Sequence, residues 1–428
     1  MSSERLLGSN NNYNNDADND NSSSSEMSLR FRGRLCQFFL ILLFLGGGLL
    51  FIIHFLRQQP AINQYEILKN YNRNHRYSRL TQGQPRSILL WNAFFGDRRW
   101  KLPDDTLGPD YFREQRCPVV NCVLTNNKDF LPAIEMFDAI VFHVAEHFPF
   151  LQPVPRRRNP YQQYVFALME PPGETKHILG NEERFYNLTM TYRLDSDIFW
   201  PYMFFEDIES GYIVAPSLNP TWRTVESMES SNDEQLDKLI AGKKKFAAWF
   251  VSHCDTLSKR EELTKSLQKY VNVDVYGACG TLKCPHNSSK CDQMIDSNYK
   301  FYFAFENSLC LDYVTEKFYN ALNRQVVPVV FGGADYTKIA PPHSYINAEK
   351  FKTVKELADY LIYLNNHPKE YARYFWWRKF YRLTSRSPFC DLCSKLNAPA
   401  ATEKVQFYDD IENWWLGGSC YFEPKILL

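Results

Sequence analysis

The residues best placed to do chemistry fall between Tyr299 and Val330, YKFYFAFENSLCLDYVTEKFYNALNRQVVPVV. Glu306-Asn307-Ser308 is a polar break after an apolar and aromatic run, and Asp312-Tyr313-Val314-Thr315-Glu316-Lys317 follows closely. Carboxylates and amides hold sugar or ribose hydroxyls, a lysine holds phosphate, and the N–H groups of a first helical turn favour anions. Glu316 and Lys317 stand in such a turn. Spacing leaves two readings open: a site for a phosphorylated, hydroxyl-rich ligand, and a capped helix with a surface ion pair. The positioning elements are a buried strand at Phe301–Phe305, an amphipathic helix at Thr315–Leu322 and a second strand at Val326–Phe331. In open α/β sheets, ligands bind where strand hands over to helix.

Other candidates are scattered. Glu170 ends an expected strand, Tyr164–Leu168, and Pro171-Pro172-Gly173 follows. It either projects into a cleft or caps the next turn. Arg260, within SHCDTLSKRE, sits near the start of an expected helix, Lys259–Tyr270, and alone reads as a surface arginine. Asp195-Ser196-Asp197 has the form of a metal motif, but such triplets are common by chance, and no metal is assigned. Cys279, Cys284, His286 and Cys291 have zinc-ligand chemistry without the paired Cys-x-x-Cys spacing of zinc ribbons. They read as a disulfide-stapled loop that also draws on Cys310. Cys390-Asp391-Leu392-Cys393 has redox-motif spacing outside a thioredoxin context and reads as structural. Asn187-Leu188-Thr189 and Asn287-Ser288-Ser289 are glycosylation sequons.

The chain of 428 residues has room for two core-forming domains and appendages. Lys+Arg equals Asp+Glu at 49 each, which argues against nucleic acid as a partner. Aromatic content is 16%, which suits stacking on sugars and equally suits an ordinary core. Met1–Arg34 is Asn-, Ser- and Asp-rich and reads as a disordered tail. The run Cys36–Leu56 has no charged residue and is long enough to span a bilayer. Arg30, Arg32 and Arg34 before it place the N-terminus in the cytosol. Residues 35–56 are thus a signal anchor and 57–85 a stem. After Cys36, ten cysteines remain, an even number suited to an oxidising compartment. Further strands are expected at Ser87–Phe95, Ala139–His143, Phe246–Val251 and Val271–Tyr276. A helix holding Ile134 and Phe137 should precede the second of these. Glu226–Lys245 reads as an inter-domain connection, Lys352–Leu364 as a helix and Tyr371–Tyr381 as an aromatic-rich helix. Helices alternating with apolar strands imply parallel α/β sheets. Asn397–Leu428 gives no reading.

ENSLCLDYVTEK closely resembles the donor-site signature of the α1,3-fucosyltransferases. ILLWNAFFG, Met169-Glu170-Pro171, FYNLTMTYRLDSDI, VSHCDTLSKRE, VDVYG and FCDLC occur in that family's order, between Ser87 and Leu396. The resemblance implies a GT-B fold of two Rossmann-like α/β domains facing a cleft. The acceptor domain would be 86–240 and the GDP-fucose domain 241–385, with 386–428 tied back to the first. It implies a single-pass type II Golgi protein with a lumenal catalytic part, and a homodimer, if formed, would be held through the stem or membrane segment. It makes Glu170 the base. It sets Arg260 and Lys317 on the diphosphate, and Asn307, Tyr313 and Glu316 around fucose and ribose. No tightly held metal is implied, and manganese would at most stimulate. Cys117 and Cys122 resemble one family cysteine pair and Cys390 and Cys393 another; links between the pairs would return the last helix to the first domain. CGTLKCPHNSSKC resembles the loop of invertebrate enzymes acting on the innermost GlcNAc of N-glycans. The implied reaction is inverting transfer from GDP-β-L-fucose to the 3-hydroxyl of that GlcNAc. Peripheral, Lewis-type fucosylation of N-acetyllactosamine glycans is the alternative. An inactive glycan-binding scaffold is a third reading, opposed by the presence of Glu170, Arg260, Glu316 and Lys317.

Overall fold

The computed structural model describes residues 84–428, apart from 103–106, 109, 147–153, 156, 177–178, 180–182, 224–232, 286–287 and 399–405. The tail, the apolar run Cys36–Leu56, nearly all of the stem, His286 and the sequon residue Asn287 lie outside the described residues. Among the described residues, no helix is long and apolar enough to cross a membrane.

Two parallel sheets carry the described chain. The first uses β1 (Arg86–Leu90), β2 (Cys122–Thr125), β3 (Ala139–His143), β4 (Gln163–Leu168), β5 (Leu188–Thr191) and β6 (Ile198–Phe199), in the order β2-β1-β3-β4-β5-β6. A small antiparallel sheet joins β7 (Phe204–Asp207) and β8 (Ile213–Ala215) to a late strand, Tyr381–Thr384. The second parallel sheet uses β9 (Lys245–Phe250), β10 (Val273–Tyr276), β11 (Tyr299–Phe305), β13 (Val327–Phe331) and β14 (Ile346–Asn347), in the order β10-β9-β11-β13-β14. The short β12 (Leu309–Cys310) lies outside it and pairs antiparallel with Cys420–Tyr421. Strands covered on both faces need continuous apolar runs, which AIVFH of β3 and VPVVF of β13 supply, and both are wholly buried.

Several elements differ from their sequence expectation for visible reasons. The strand expected at Ser87–Phe95 stops at Leu90 because the Asn92 side chain takes over the ladder. Its amide donates to the His143 carbonyl at 2.8 Å and accepts from the His143 N–H at 2.9 Å. The helix expected around Ile134 is one 3-10 turn, Ile134–Met136. Glu226–Lys245 contains a helix, Glu234–Gly242, capped by Asp233. Tyr371–Tyr381 is not one α-helix: a 3-10 segment, Arg373–Lys379, follows the Pro368–Ala372 turn. Its consecutive Tyr374, Phe375, Trp376 and Trp377 are all buried, the first two in one core and the last two in another. In an α-helix, residues three and four apart share a face, so four consecutive side chains cannot all point to one core.

The late helix Pro388–Asn397 returns to the first sheet and buries Phe389, Leu392 and Leu396 in its core. Disulfides Cys117–Cys390 and Cys122–Cys393 fix it there, closing loops of 273 and 271 residues. In the chain-entropy picture one such closure is worth about 5 kcal/mol, and its neighbour adds little more. The other bridges are Cys254–Cys279, Cys284–Cys291 and Cys310–Cys420. This corrects the expected four-cysteine loop. Only Cys284–Cys291 is internal to it, whereas Cys279 reaches Cys254 and Cys310 faces Cys420 across the β12 ladder.

The sequon at Asn187 is also corrected. Asn187 is 0% exposed; its amide donates to the Gln406 carbonyl at 2.7 Å and accepts from the Tyr164 N–H at 2.7 Å and from Arg158. A folded chain leaves that nitrogen no room for a glycan. Asp195 and Asp197 are structural as well. Asp195 pairs with Arg193, while Asp197 accepts from Thr189, Tyr408, Lys395 and Gln406.

Candidate active site

Glu170 leaves the first sheet just beyond β4. Two prolines then stiffen the chain and begin the short Pro172–Thr175 helix, where proline suits the first turn. The Thr175 hydroxyl donates to the Pro171 carbonyl at 3.0 Å, and the Tyr202 hydroxyl donates to the Met169 carbonyl at 3.1 Å. The backbone on both sides of Glu170 is therefore held. Its carboxylate is only partly buried and accepts no hydrogen bond from any described residue. Burial pushes its pKa above the ordinary glutamate value; the Lys317 ammonium pulls it back, Glu316 and Glu174 push it up, and His253 pulls it down. Lys317, Glu316 and His253 all belong to the second half of the chain, so the Glu170 carboxylate faces that half.

On the second side, Glu306 follows β11 and is 0% exposed. It accepts from the Thr315 N–H at 2.8 Å and the Thr315 hydroxyl at 2.9 Å, and pairs with Lys317 at 3.2 Å. Thr315 in turn caps the Glu316–Leu322 helix. Burial raises the Glu306 pKa and Lys317 lowers it. Burial works against the Lys317 ammonium, but Glu306 and Glu316 outweigh it and hold its pKa above the usual lysine value. Lys317 is thus a permanent, partly exposed cation at a helix N-terminus, and Glu316 beside it is exposed.

Arg260 is not on the surface: it is 3% exposed. Its guanidinium donates to the Phe305 carbonyl at 2.9 Å, the His253 carbonyl at 2.6 Å and Glu261 at 3.1 Å. It therefore braces the end of β11 and the His253 loop, and Cys254–Cys279 pins that loop beside it. A guanidinium has five N–H groups, so about two remain for another partner.

The two halves meet at several points. The Asn307 amide donates to Glu174 at 3.3 Å, and the Tyr313 hydroxyl donates to Asn307 at 3.2 Å. Tyr313 is buried in the core of the first sheet, with its ring 5.1 Å from Tyr192. Asp312, at φ 56°, accepts from the Leu194 N–H at 3.0 Å. A Cβ on Gly173 would stand 3.1 Å from the Ser308 hydroxyl, which is buried and unpartnered among the described residues. The structure thus gathers Glu170, Asn307, Tyr313, Glu316 and Lys317, with Arg260 beneath them. It leaves Asn187, Asp195 and Asp197 apart. Sequence reasoning named Glu306 and Ser308 only as part of the polar break, without a role, and missed Glu174 and His253 as site residues. Glu306 alone carried a signal, a carboxylate standing directly after an apolar strand. Among the described residues, no group of three or more His, Cys, Asp or Glu is placed to hold a metal ion.

Comparison with known proteins gives the family. Residues 83–203 match the family profile "Fucosyltransferase, N-terminal", and residues 240–414 match "Glycosyltransferase family 10 (fucosyltransferase) C-term". Alpha-(1,3)-fucosyltransferase C of Drosophila melanogaster is 54% identical over 400 residues, 93% of this chain and 92% of that protein. Glycoprotein 3-alpha-L-fucosyltransferase A of Drosophila melanogaster is 34% identical, over 81% of this chain and 64% of its own length. The crystal structure of an alpha1,3-fucosyltransferase with GDP-fucose aligns at a TM-score of 0.45 and 17% identity, over 76% of this chain and 94% of its own.

Proposed function

We propose, for a chain that belongs to the glycosyltransferase family 10 α1,3-fucosyltransferases, that it moves L-fucose from GDP-β-L-fucose to the 3-hydroxyl of the core GlcNAc of glycoprotein N-glycans. One observation carries this reading: the unbonded carboxylate of Glu170, raised by burial, faces the permanent cation Lys317 from the other half of the chain. A base and a phosphate cation on opposite walls are what an inverting displacement needs.

In the reaction, the acceptor oxygen forms a bond to the anomeric carbon while its proton passes to Glu170. The bond to the β-phosphate oxygen breaks on the opposite face, and GDP departs with its charge held by Lys317 and the remaining N–H groups of Arg260. Inversion yields the α-fucoside. Asn307, Tyr313 and Glu316 surround the fucose and ribose hydroxyls. The two parallel sheets with a site between them support a GT-B arrangement. The five disulfides among the described residues suit an oxidising lumen. Together with the charge-free run Cys36–Leu56, they support type II anchoring in the Golgi. A glycoprotein acceptor is supported by the name of the second Drosophila relative, and the core GlcNAc by the resemblance of the loop CGTLKCPHNSSKC.

The test incubates the chain from the stem onward with GDP-fucose and a panel of N-glycans, with linkage analysis of each product. The expected product carries fucose on O3 of the innermost GlcNAc. Transfer only to outer N-acetyllactosamine would replace the acceptor, and no transfer to any glycan would end the enzyme reading.

A further inference from the structure

The C-terminal segment, silent in the sequence, touches both walls of the site. The short helix Ile411–Leu416 begins at Asp410, whose carboxylate caps the Asn413 N–H at 2.7 Å. Its Trp415 is fully buried against Phe166 of β4 and against Tyr192, with ring centroids 5.6 Å away in both cases. The Trp415 indole N–H donates to the Thr175 hydroxyl at 3.0 Å. Thr175 then donates to Pro171, the residue after Glu170. A buried indole N–H needs a partner, and here that partner is the loop bearing the base.

The chain then passes Gly417, where a Cβ would meet the Asn413 carbonyl at 2.5 Å, and turns toward the other wall. Arg193 of the first half donates to the Ser419 hydroxyl at 3.1 Å and to the Trp414 carbonyl. The Ser419 carbonyl accepts from the Leu311 N–H at 2.7 Å, and Cys420 is bonded to Cys310. Leu311 opens directly into Asp312-Tyr313. Gly333 allows β12 to sit this close, since a Cβ there would stand 2.4 Å from the Cys310 nitrogen. Beyond the bridge, Lys259 pairs with Glu423 at 2.8 Å, and Ile426 is buried in the core of the second sheet.

We propose that Ile411–Tyr421 is a positioning strap for the transfer reaction: Trp415 sets the loop carrying Glu170, and Cys420 sets the loop carrying Tyr313 to Lys317. Neither residue meets substrate. The strap fixes the distance between the base on one wall and the cation on the other, and it rests on the function proposed above. A segment that merely covered the sheets would lose stability when altered, and nothing else. A positioning strap loses different kinetic quantities at its two ends.

The experiment measures kcat, KM for GDP-fucose, GDP affinity by calorimetry, and thermal midpoint in six proteins: wild type, Trp415→Phe, Thr175→Val, the combined Trp415→Phe/Thr175→Val, Thr175→Ser and the double variant Cys310→Ser/Cys420→Ser. Misplacing the base loop should lower kcat about 10-fold in Trp415→Phe and Thr175→Val, with GDP affinity unchanged. Combining those two should cost no more than either alone, and Thr175→Ser, which keeps the hydroxyl, should retain wild-type kcat. Cys310→Ser/Cys420→Ser should weaken GDP affinity about 10-fold at little cost in kcat. Wild-type kcat and GDP affinity in all variants, with only the midpoint lowered, would overturn the proposal. Thr175→Val leaves the strap itself intact and keeps the test open if Trp415→Phe does not fold. A wild-type chain that binds GDP but transfers no fucose sinks the function instead. The strap is then judged by GDP affinity, and equal affinity with and without the Cys310–Cys420 bridge overturns it.

Discussion

Glu170 and Glu306 occupy equivalent places in the two halves: each stands just past the end of an inner strand of a parallel sheet. Their surroundings are opposite. Glu306 is sealed, with its oxygens taken by Thr315 and Lys317. Glu170 is partly exposed and accepts from no described residue, although burial raises its pKa as it does that of Glu306. A carboxylate whose lone pairs are all occupied organises its neighbours; one left unbonded in a cleft can take a proton. The comparison makes Glu306 the frame that holds Lys317 and Glu170 the group that reacts.

Substitutions can break this comparison at graded cost. Glu170→Gln should lower transfer about 10²–10⁴-fold with unchanged GDP affinity, measured on one preparation. A matching loss of GDP affinity would place Glu170 on the nucleotide instead. Lys317→Ala should weaken both GDP affinity and transfer by roughly 10–100-fold, the worth of a charged contact. Equal GDP affinity in that variant removes its phosphate role. Glu306→Gln should show mainly as instability, about 2 kcal/mol in a denaturant titration, because it leaves Lys317 without its buried partner. If Glu306→Gln instead abolishes transfer at full stability, the roles of the two glutamates are exchanged. The smallest expected effect is none: glycosidase treatment should leave the mass of the peptide containing Asn187 unchanged.

What was legible in the sequence follows from the range of the interactions. The inner strands were legible because a parallel strand must be apolar throughout, and AIVFH or FYFAF can be little else. The Glu316–Leu322 helix was legible because its cap, Thr315, is adjacent in sequence. Arg260 read as a surface residue because its partners, the carbonyls of His253 and Phe305, are backbone groups with no sequence signature. Asn187 read as a glycan site because a sequon records only local residues, whereas Gln406 fills its hydrogen bonds from 219 positions away. The C-terminal strap was illegible for the same reason: Thr175 and Cys310 lie far back along the chain. The pairing of Cys117 and Cys122 with Cys390 and Cys393 came from family resemblance, since spacing alone cannot decide it.

One site is built from both halves, with Glu170 and Lys317 in electrostatic reach of each other. The acid limb of the pH profile of kcat/KM tests it most directly, in wild type and in Lys317→Ala. A base must be deprotonated, so the rate falls as pH drops through the pKa of Glu170. Burial raises that pKa, and the Lys317 charge lowers it. Removing the charge should therefore move the acid limb to higher pH. An acid limb that stays in place, or moves to lower pH, would mean that Lys317 does not act on the base and would contradict the account.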